Sequence, residues 1–350
     1  MVQLSPFPPR AIRPTRRAGR TRAALAFIVA AAVLALAVVL SLAVGARFVP
    51  VPEVARALFG SGDDGVVAIV GTLRVNRTVN ALLCGTALGV AGVLMQALTR
   101  NPIADPGMLG VNAGAAFGVV AGLSLFGVLG AGGTIWFALG GAALAAAVVL
   151  WFSASRFAAG SPVRLTLAGV AFAAVLSGVS QALVLSNENV VDVFRFWRVG
   201  SLTARPIEDA LPLIVFIAVG LLLALVLGPA LNMMLLGDDS AVALGVKPGR
   251  VRALVLVAVT LLCGTATALA GPISFVGLVV PHLVRAVVGP DVRLILPLSL
   301  LIAPALLLVA DVLGRIIGGG AEVQVGVVTA FIGAPLLIVF VLGGRRSGLS

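Results

Sequence analysis

The chain has 350 residues, 60% of them hydrophobic and only 11% charged, with a mean hydropathy of +1.18. A soluble domain carries about 25% charged residues, so this composition excludes an ordinary soluble enzyme or a disordered chain and leaves a polytopic membrane protein. The net charge of +11 does not indicate nucleic acid, because there is no free basic domain to bind it.

Residues 1–22 read as a basic tail, with Arg10, Arg13, Arg16, Arg17, Arg20 and Arg22 and no acid. The first apolar segment follows at 24–47. A cleaved signal peptide has an apolar core of about 7–15 residues. This one is longer, so residues 1–46 read as an uncleaved anchor. Further apolar segments lie at 77–97, 108–129, 133–153 and 164–186, then at 210–229, 252–270, 273–287, 294–311 and 326–343. Most reach the roughly 20 residues that a spanning helix needs. The third and eighth are Gly-rich and bounded by Pro. They read as half-helices with irregular ends, tolerated at membrane depth only inside protein or along a cavity. The runs are continuous rather than alternating, which excludes a transmembrane β-barrel. The expected fold is an all-α polytopic membrane protein of about ten transmembrane helices. One domain covers 23–343, with halves near 23–206 and 207–343, and a second tail covers 344–350.

Basic residues set the expected orientation. Placing the N-terminus in the cytoplasm puts Arg100, Arg156, Arg164, Lys247, Arg250, Arg252, Arg285 and Arg293 in inner loops. Ten spans return Arg345 and Arg346 to the same side. The outer side then holds Arg47, Arg56, Arg74, Arg77, Arg195, Arg198, Arg205 and Arg315. The bias is 16 to 8 in favour of the inside. Both termini are therefore expected in the cytoplasm.

Residues 82–92 read LLCGTALGVAG and residues 261–271 read LLCGTATALAG, identical at eight of 11 positions. The same offset of 179 superposes Pro102 on Pro281. The copies begin in the second and seventh spans. Five spans apart, they must cross the membrane in opposite directions. An inverted repeat of five plus five is a transporter signature, with the pathway near the repeat interface.

No nucleotide site is encoded. A phosphate-binding loop ends in Gly-Lys-Ser/Thr, and the single lysine, Lys247, stands between Val246 and Pro248. If ATP drives transport, another chain hydrolyses it. The longest inner loop, 231–252, contains a helix of one or two turns. Asp238 or Asp239 is its expected N-cap and Gly245 its C-cap. Such a helix is too short to stand alone. It is either a connector resting on its own protein or a coupling helix set into a groove of a cytoplasmic ATPase.

Arg74 and Arg77 precede the second span, and Arg315 lies four residues after Asp311. An i, i+4 pair between Asp311 and Arg315 fits one helix face. The three arginines either snorkel to headgroups or form a cationic dock for a partner's carboxylates. His282 is the only histidine and lacks the neighbouring ligands of a metal site. The outer segment 187–206, with Glu188, Asp192, Arg195, Arg198, Phe194, Phe196 and Trp197, is an aromatic interfacial anchor or an amphipathic cover over the pathway mouth.

These residues carry a family pattern. The stretch LRVNRTVNALLCGTALGVAGVLMQALTRNPIADPGMLGVNAGA at 73–115 resembles the permease subunits of ATP-binding-cassette importers for ferric siderophores, haem and cobalamin. So do LAGVAF at 167–172, FWRVGSL at 196–202 and LGDDSAVALGV at 236–246. GPISFVGLVVPHLVRAVVGPDVRLILPLS at 271–299 and ADVLGRIIGGGAEVQVGVVTAFIGAP at 310–335 complete the series. The resemblance implies the type II importer permease fold in the cytoplasmic membrane. It implies a second permease subunit, the same chain or a paralogue. Two ATPase subunits that consume the ATP and one extracytoplasmic substrate-binding protein are implied as well. A ferric siderophore is the implied cargo, with haem and cobalamin as alternatives. No cofactor is expected in this chain. The matching loop residues Gly237, Asp238, Asp239, Ala241, Leu244 and Gly245 are implied to contact the ATPase. Arg74, Arg77 and Arg315 are implied to face acidic residues of the binding protein. Two departures stand out. Asn76 and Gln324 occupy positions where the family usually has Pro, and Asn76 is expected to loosen the loop that carries the outer arginines. The pathway is expected along 164–186 and 187–206.

Overall fold

A computed structural model describes residues 16–45, 47–127, 131–154, 162–202, 205–318 and 322–346. Every regular element among them is a helix. The order begins with α1 (Arg16–Ala43), α2 (Val51–Leu58) and α3 (Asp64–Ala68). A π-helical segment, Ile69–Arg74, leads directly into α4 (Val75–Thr99). A 3-10 turn, Pro106–Leu109, precedes α5 (Val111–Phe126), α6 (Ala131–Ala154), α7 (Pro162–Leu185) and α8 (Glu188–Arg198). Then come α9 (Ile207–Leu235), α10 (Asp238–Ala243), α11 (Pro248–Ala270), α12 (Val276–Val288), α13 (Val292–Ile317) and α14 (Val325–Arg346).

Ten of these match the expected spans: α1, α4 to α7, α9 and α11 to α14. Among the described residues, seven helices are long and apolar enough to cross a membrane, and α5, α12 and 325–339 are shorter apolar helices. The eighth span is short, at 13 residues, and the third is shorter than its expected bounds, at 16 residues. The irregular start of α12 is visible too, since Phe275 adopts a left-handed φ of 70° just before it. The boundary that moves most is the first: helix α1 begins at Arg16, so part of the expected basic tail is helical. The rest of that tail, residues 1–15, and residues 347–350 of the second tail lie outside the described residues.

Helix α4 is the axis of the molecule, buried along most of its length between Arg77 and Leu98. Its neighbours α9, α11, α12 and α13 all pack against it. Lipid supplies no hydrophobic drive between helices, so close van der Waals packing of small residues does the work. Gly85, Gly89 and Gly92 line one face of α4. A Cβ at Gly85 would fall 2.4 Å from the Pro304 Cα, and one at Gly89 2.3 Å from the Ala303 Cβ. Helices α5 and α6 meet the same way: a Cβ at Gly118 would lie 2.0 Å from the Phe137 carbonyl oxygen.

The two repeat copies sit in α4 and α11, which pack together and run antiparallel. The Cys84 thiol, near the start of α4, lies 3.7 Å from the Ala266 carbonyl, near the end of α11. The repeat ends before the prolines, however. Pro102 follows α4 in a turn, whereas Pro281 lies inside α12.

Candidate functional site

Two charged clusters mark opposite ends of α4. About 23 residues separate Arg77 from Arg100, so at 1.5 Å per residue the clusters stand about 35 Å apart. That matches a bilayer core of about 30 Å.

At the Arg77 end, the three sequence-predicted arginines come together with α1. All three are buried. Arg74 donates to the carbonyls of Leu42 and Ala43, at 2.7 and 2.8 Å, and to that of Arg47. Arg315 donates to the Ser41 and Val44 carbonyls and the Ser41 hydroxyl, each at 2.9 Å. The last carbonyls of a helix lack internal partners and carry its negative dipole end. Arg74 and Arg315 therefore cap the C-terminus of α1 with two cations. Ser41 and Thr78 share a further hydroxyl–hydroxyl bond of 2.8 Å between α1 and α4.

Asp311 holds the centre. Its carboxylate, 2% exposed, lies 2.7 Å from Arg77 and 2.9 Å from Arg315. The i, i+4 pair read from the sequence is thus present. Arg77 extends the network to Glu322, 2.5 Å away and 43% exposed. Arg74 and Arg315 both hold α1, so three arginines and two acids leave the cluster with one formal positive charge. Arg77 and Arg74 do not lie in a loosened loop, as Asn76 led us to expect. They belong to a continuous helical run, Asp64–Thr99, in which Asn76 retains the backbone N–H that proline lacks. Glu322, at the rim, is the exposed member of this cluster, and the three arginines lie behind it.

At the Arg100 end the sequence showed the short helix, but Arg100 and Arg252 only as two of the inner basic residues. Helix α10 forms where the loop analysis expects it, but its N-cap is Gly237 at φ 110°, with Asp238 and Asp239 inside the first turn. Gly245 takes φ 83° after the helix. The N–H of Val246 bonds Ala241 O and that of Gly245 bonds Val242 O, both at 2.9 Å, which is a Schellman stop. Ala241 points inward and is fully buried, while Leu236, Val242 and Leu244 are exposed.

Asp238 uses both carboxylate oxygens. One pairs with Arg100, just past α4, and the other with Arg252 in the first turns of α11. The same Arg100 nitrogen also bonds the Met234 carbonyl in the last turn of α9, at 2.5 Å. Arg100 itself adopts the left-handed region, φ 52°. Partial burial opposes the Asp238 charge, but Arg100 and Arg252 outweigh it and hold the carboxyl below the usual carboxylate range. The stabilisation is therefore present above the ordinary carboxylate range and is lost as pH falls through the lowered value. The residues missed from sequence are Arg100, Arg252, Ser41 and Glu322. Their contacts join positions from 14 to 274 residues apart, beyond the reach of any one-turn spacing.

In the outer segment, Phe194 is buried and stacks on Trp197 with centroids 6.2 Å apart. Helix α8 thus packs on the body of the molecule.

Comparison with known proteins agrees with this architecture. The model of the FecCD transport family matches residues 33–343. The ferric enterobactin transport system permease protein FepD of Escherichia coli is 47% identical over 305 residues, covering 87% of this chain and 91% of that protein. The siderophore transport system permease protein YfiZ of Bacillus subtilis is 39% identical, covering 79% of this chain and 84% of that one. A solved metal-chelate type ABC transporter in an inward-facing conformation superposes with a TM-score of 0.81 at 29% identity, covering 91% of this chain and 99% of its own. With a family match that runs through nearly every helix described above, this chain belongs to the FecCD transport family.

Proposed function

We propose that this chain is the membrane permease subunit of an ATP-driven importer, with a ferric siderophore as cargo. The observation that carries the coupling part is α10. It is a six-residue helix anchored by Ala241 and Asp238, with Leu236, Val242 and Leu244 facing solvent. An exposed apolar face on a helix clamped in place suits insertion into a groove of another protein. The cargo rests on the two similar permeases, both named for siderophore transport.

In this reading the Arg100 end is cytoplasmic, as are both termini, and α10 meets one of two ATPase subunits. The ATPases bind and hydrolyse ATP, and this chain needs no cofactor of its own. Gly237 and Gly245 shape the loop, Asp239, Val242 and Leu244 present it, and Ala241 holds it down. A second permease, identical or paralogous, packs alongside, and the pathway runs between the two. Helix α7 supports this arrangement, because Leu167, Val170, Val175 and Val179 leave much of it uncovered in the single chain.

At the outer end, a substrate-binding protein docks over the arginine cluster. Arg74 and Arg315 hold α1, so a carboxylate of the binding protein reaches the network at its exposed rim, where Glu322 covers Arg77. There it replaces Glu322. Glu322→Gln removes that internal competitor and is expected to tighten binding-protein affinity by up to about fivefold, the scale of an exposed ion pair. Biolayer interferometry on the purified transporter reads this directly, and an unchanged or weaker affinity rejects the exchange.

Reconstitution tests the whole scheme. In proteoliposomes carrying this chain, its ATPase and its binding protein, ferric enterobactin should accumulate only with ATP. Accumulation without ATP, or without the ATPase, would refute the importer. Accumulation of cobalamin in place of the ferric siderophore would refute the cargo.

A further inference from the structure

The clasp at the Arg100 end carries an inference about how the coupling helix is held. We propose that Asp238 is a positioning residue that makes α10 move as one body with the cytoplasmic ends of α4, α9 and α11. The proposal rests on the reading that α10 meets an ATPase.

The geometry favours this role over direct contact with a partner. A residue touching the ATPase would turn its side chain away from its own protein, as Val242 and Leu244 do. Asp238 turns inward and engages two arginines from two helices, one on each oxygen. The neighbouring Asp239 is exposed and forms no ion pair among the described residues. Of two adjacent acids on a six-residue helix, one therefore faces the body and the other faces out.

Each arm reaches a different element. Arg100 brings in the end of α4 and, through the Met234 carbonyl, the last turn of α9. Arg252 brings in the start of α11. One turn further into α4, Gln96 donates to the Gly277 and Leu278 carbonyls of α12 at 3.4 and 3.1 Å. Gln96 also accepts from Arg285 at 3.0 Å. The axial helix is thus tied at this end both to α10 and to α12. Without Asp238, Ala241 is the main remaining anchor of α10. A push on α10 would then be absorbed by the loop 236–247 rather than delivered to the helices. The one carboxylate that both arginines share makes two charge-assisted bonds, and these are roughly twice as strong as neutral ones.

The test uses the complete transporter in proteoliposomes and measures ATP hydrolysis, substrate uptake and ATPase retention in parallel. Asp238→Asn should keep the ATPase bound and hydrolysing while uptake per ATP falls by about fivefold or more. Asp238→Glu keeps the charge and should recover part of that ratio. Arg252→Gln breaks one arm and should give an intermediate loss. These ratios separate positioning from a simple loss of folded protein, which would lower hydrolysis and uptake together. Val242→Asp with Leu244→Asp is the control for the underlying reading. If that pair leaves ATPase retention intact, α10 does not meet the ATPase and the reading itself fails. If the pair releases the ATPase but Asp238→Asn leaves uptake per ATP unchanged, the clasp is not a coupling element. If Asp238→Asn itself releases the ATPase, Asp238 is a contact residue and the positioning role is overturned.

Discussion

Asp311→Leu should cost about 3–5 kcal/mol, the scale for removing one partner of a buried ion pair. Both Arg77 and Arg315 are buried and share this one carboxylate. Without it, two guanidinium groups remain in a helical interior with only Glu322, Ser41 and the α1 carbonyls to face them. The network already has little slack, since Arg77 Nε and Arg315 Nε find no acceptor among the described residues. The expected result in detergent is a strongly lowered midpoint of thermal aggregation. Loss should start at the contacts of α1 with α13. Asp311→Leu with Arg77→Met removes one stranded cation together with its counter-ion and should recover at least half of the loss, because a buried pair replaced by apolar groups is often neutral. A single variant within about 1 kcal/mol of the parent would mean that water or lipid headgroups reach these arginines and that the cluster is not an interior feature.

That cluster also marks where sequence reasoning stopped. Ten spans, the short α12 and the six-residue α10 were legible because each rests on local information: hydropathy, length, or a turn that glycine permits. The Asp311–Arg315 pair was legible for the same reason, being one helical turn long. The Arg77–Asp311 contact spans 234 residues, and nothing near either residue encodes it. The burial of Arg74 and Arg315 was hidden more deeply. Their partners are backbone carbonyls at the end of α1, and a carbonyl leaves no mark in a residue pattern. An arginine next to a span reads as an outward cation until the helix it caps is seen. Asp238 misled in the opposite direction. Aspartate before an apolar run is a favoured N-cap, yet here Gly237 takes that position and the carboxylate is left to bridge Arg100 and Arg252.

The repeat hides a comparable division of labour, and its last glycine gives the second large effect. Gly92 and Gly271 are equivalent in the two copies, but physics asks different things of them. Gly271 ends α11 at φ 73°, a backbone state that a side chain resists. Gly92 is ordinary helix, and what it provides is space: a Cβ there would lie 1.8 Å from the Gly277 carbonyl oxygen and 2.6 Å from the Gly277 Cα. Both atoms are backbone, so no rotamer change relieves the clash. Gly92→Ala must push α12 away from α4, at a cost at or above the roughly 1–3 kcal/mol of overpacking a core. Ala is otherwise the better helix former by up to about 1 kcal/mol, so propensity alone predicts the opposite sign. Gly140→Ala in α6 isolates that propensity, because a Cβ there meets nothing within 4 Å. The expected pattern is a lowered aggregation midpoint for Gly92→Ala and an unchanged or raised one for Gly140→Ala. The displacement should also loosen the Gln96 bonds to the Gly277 and Leu278 carbonyls, one turn along α4. Transport should therefore fall further than the loss of folded protein explains. Equal midpoints for the two variants would mean that α4 and α12 are not in backbone contact, and the central place of α4 would go with it.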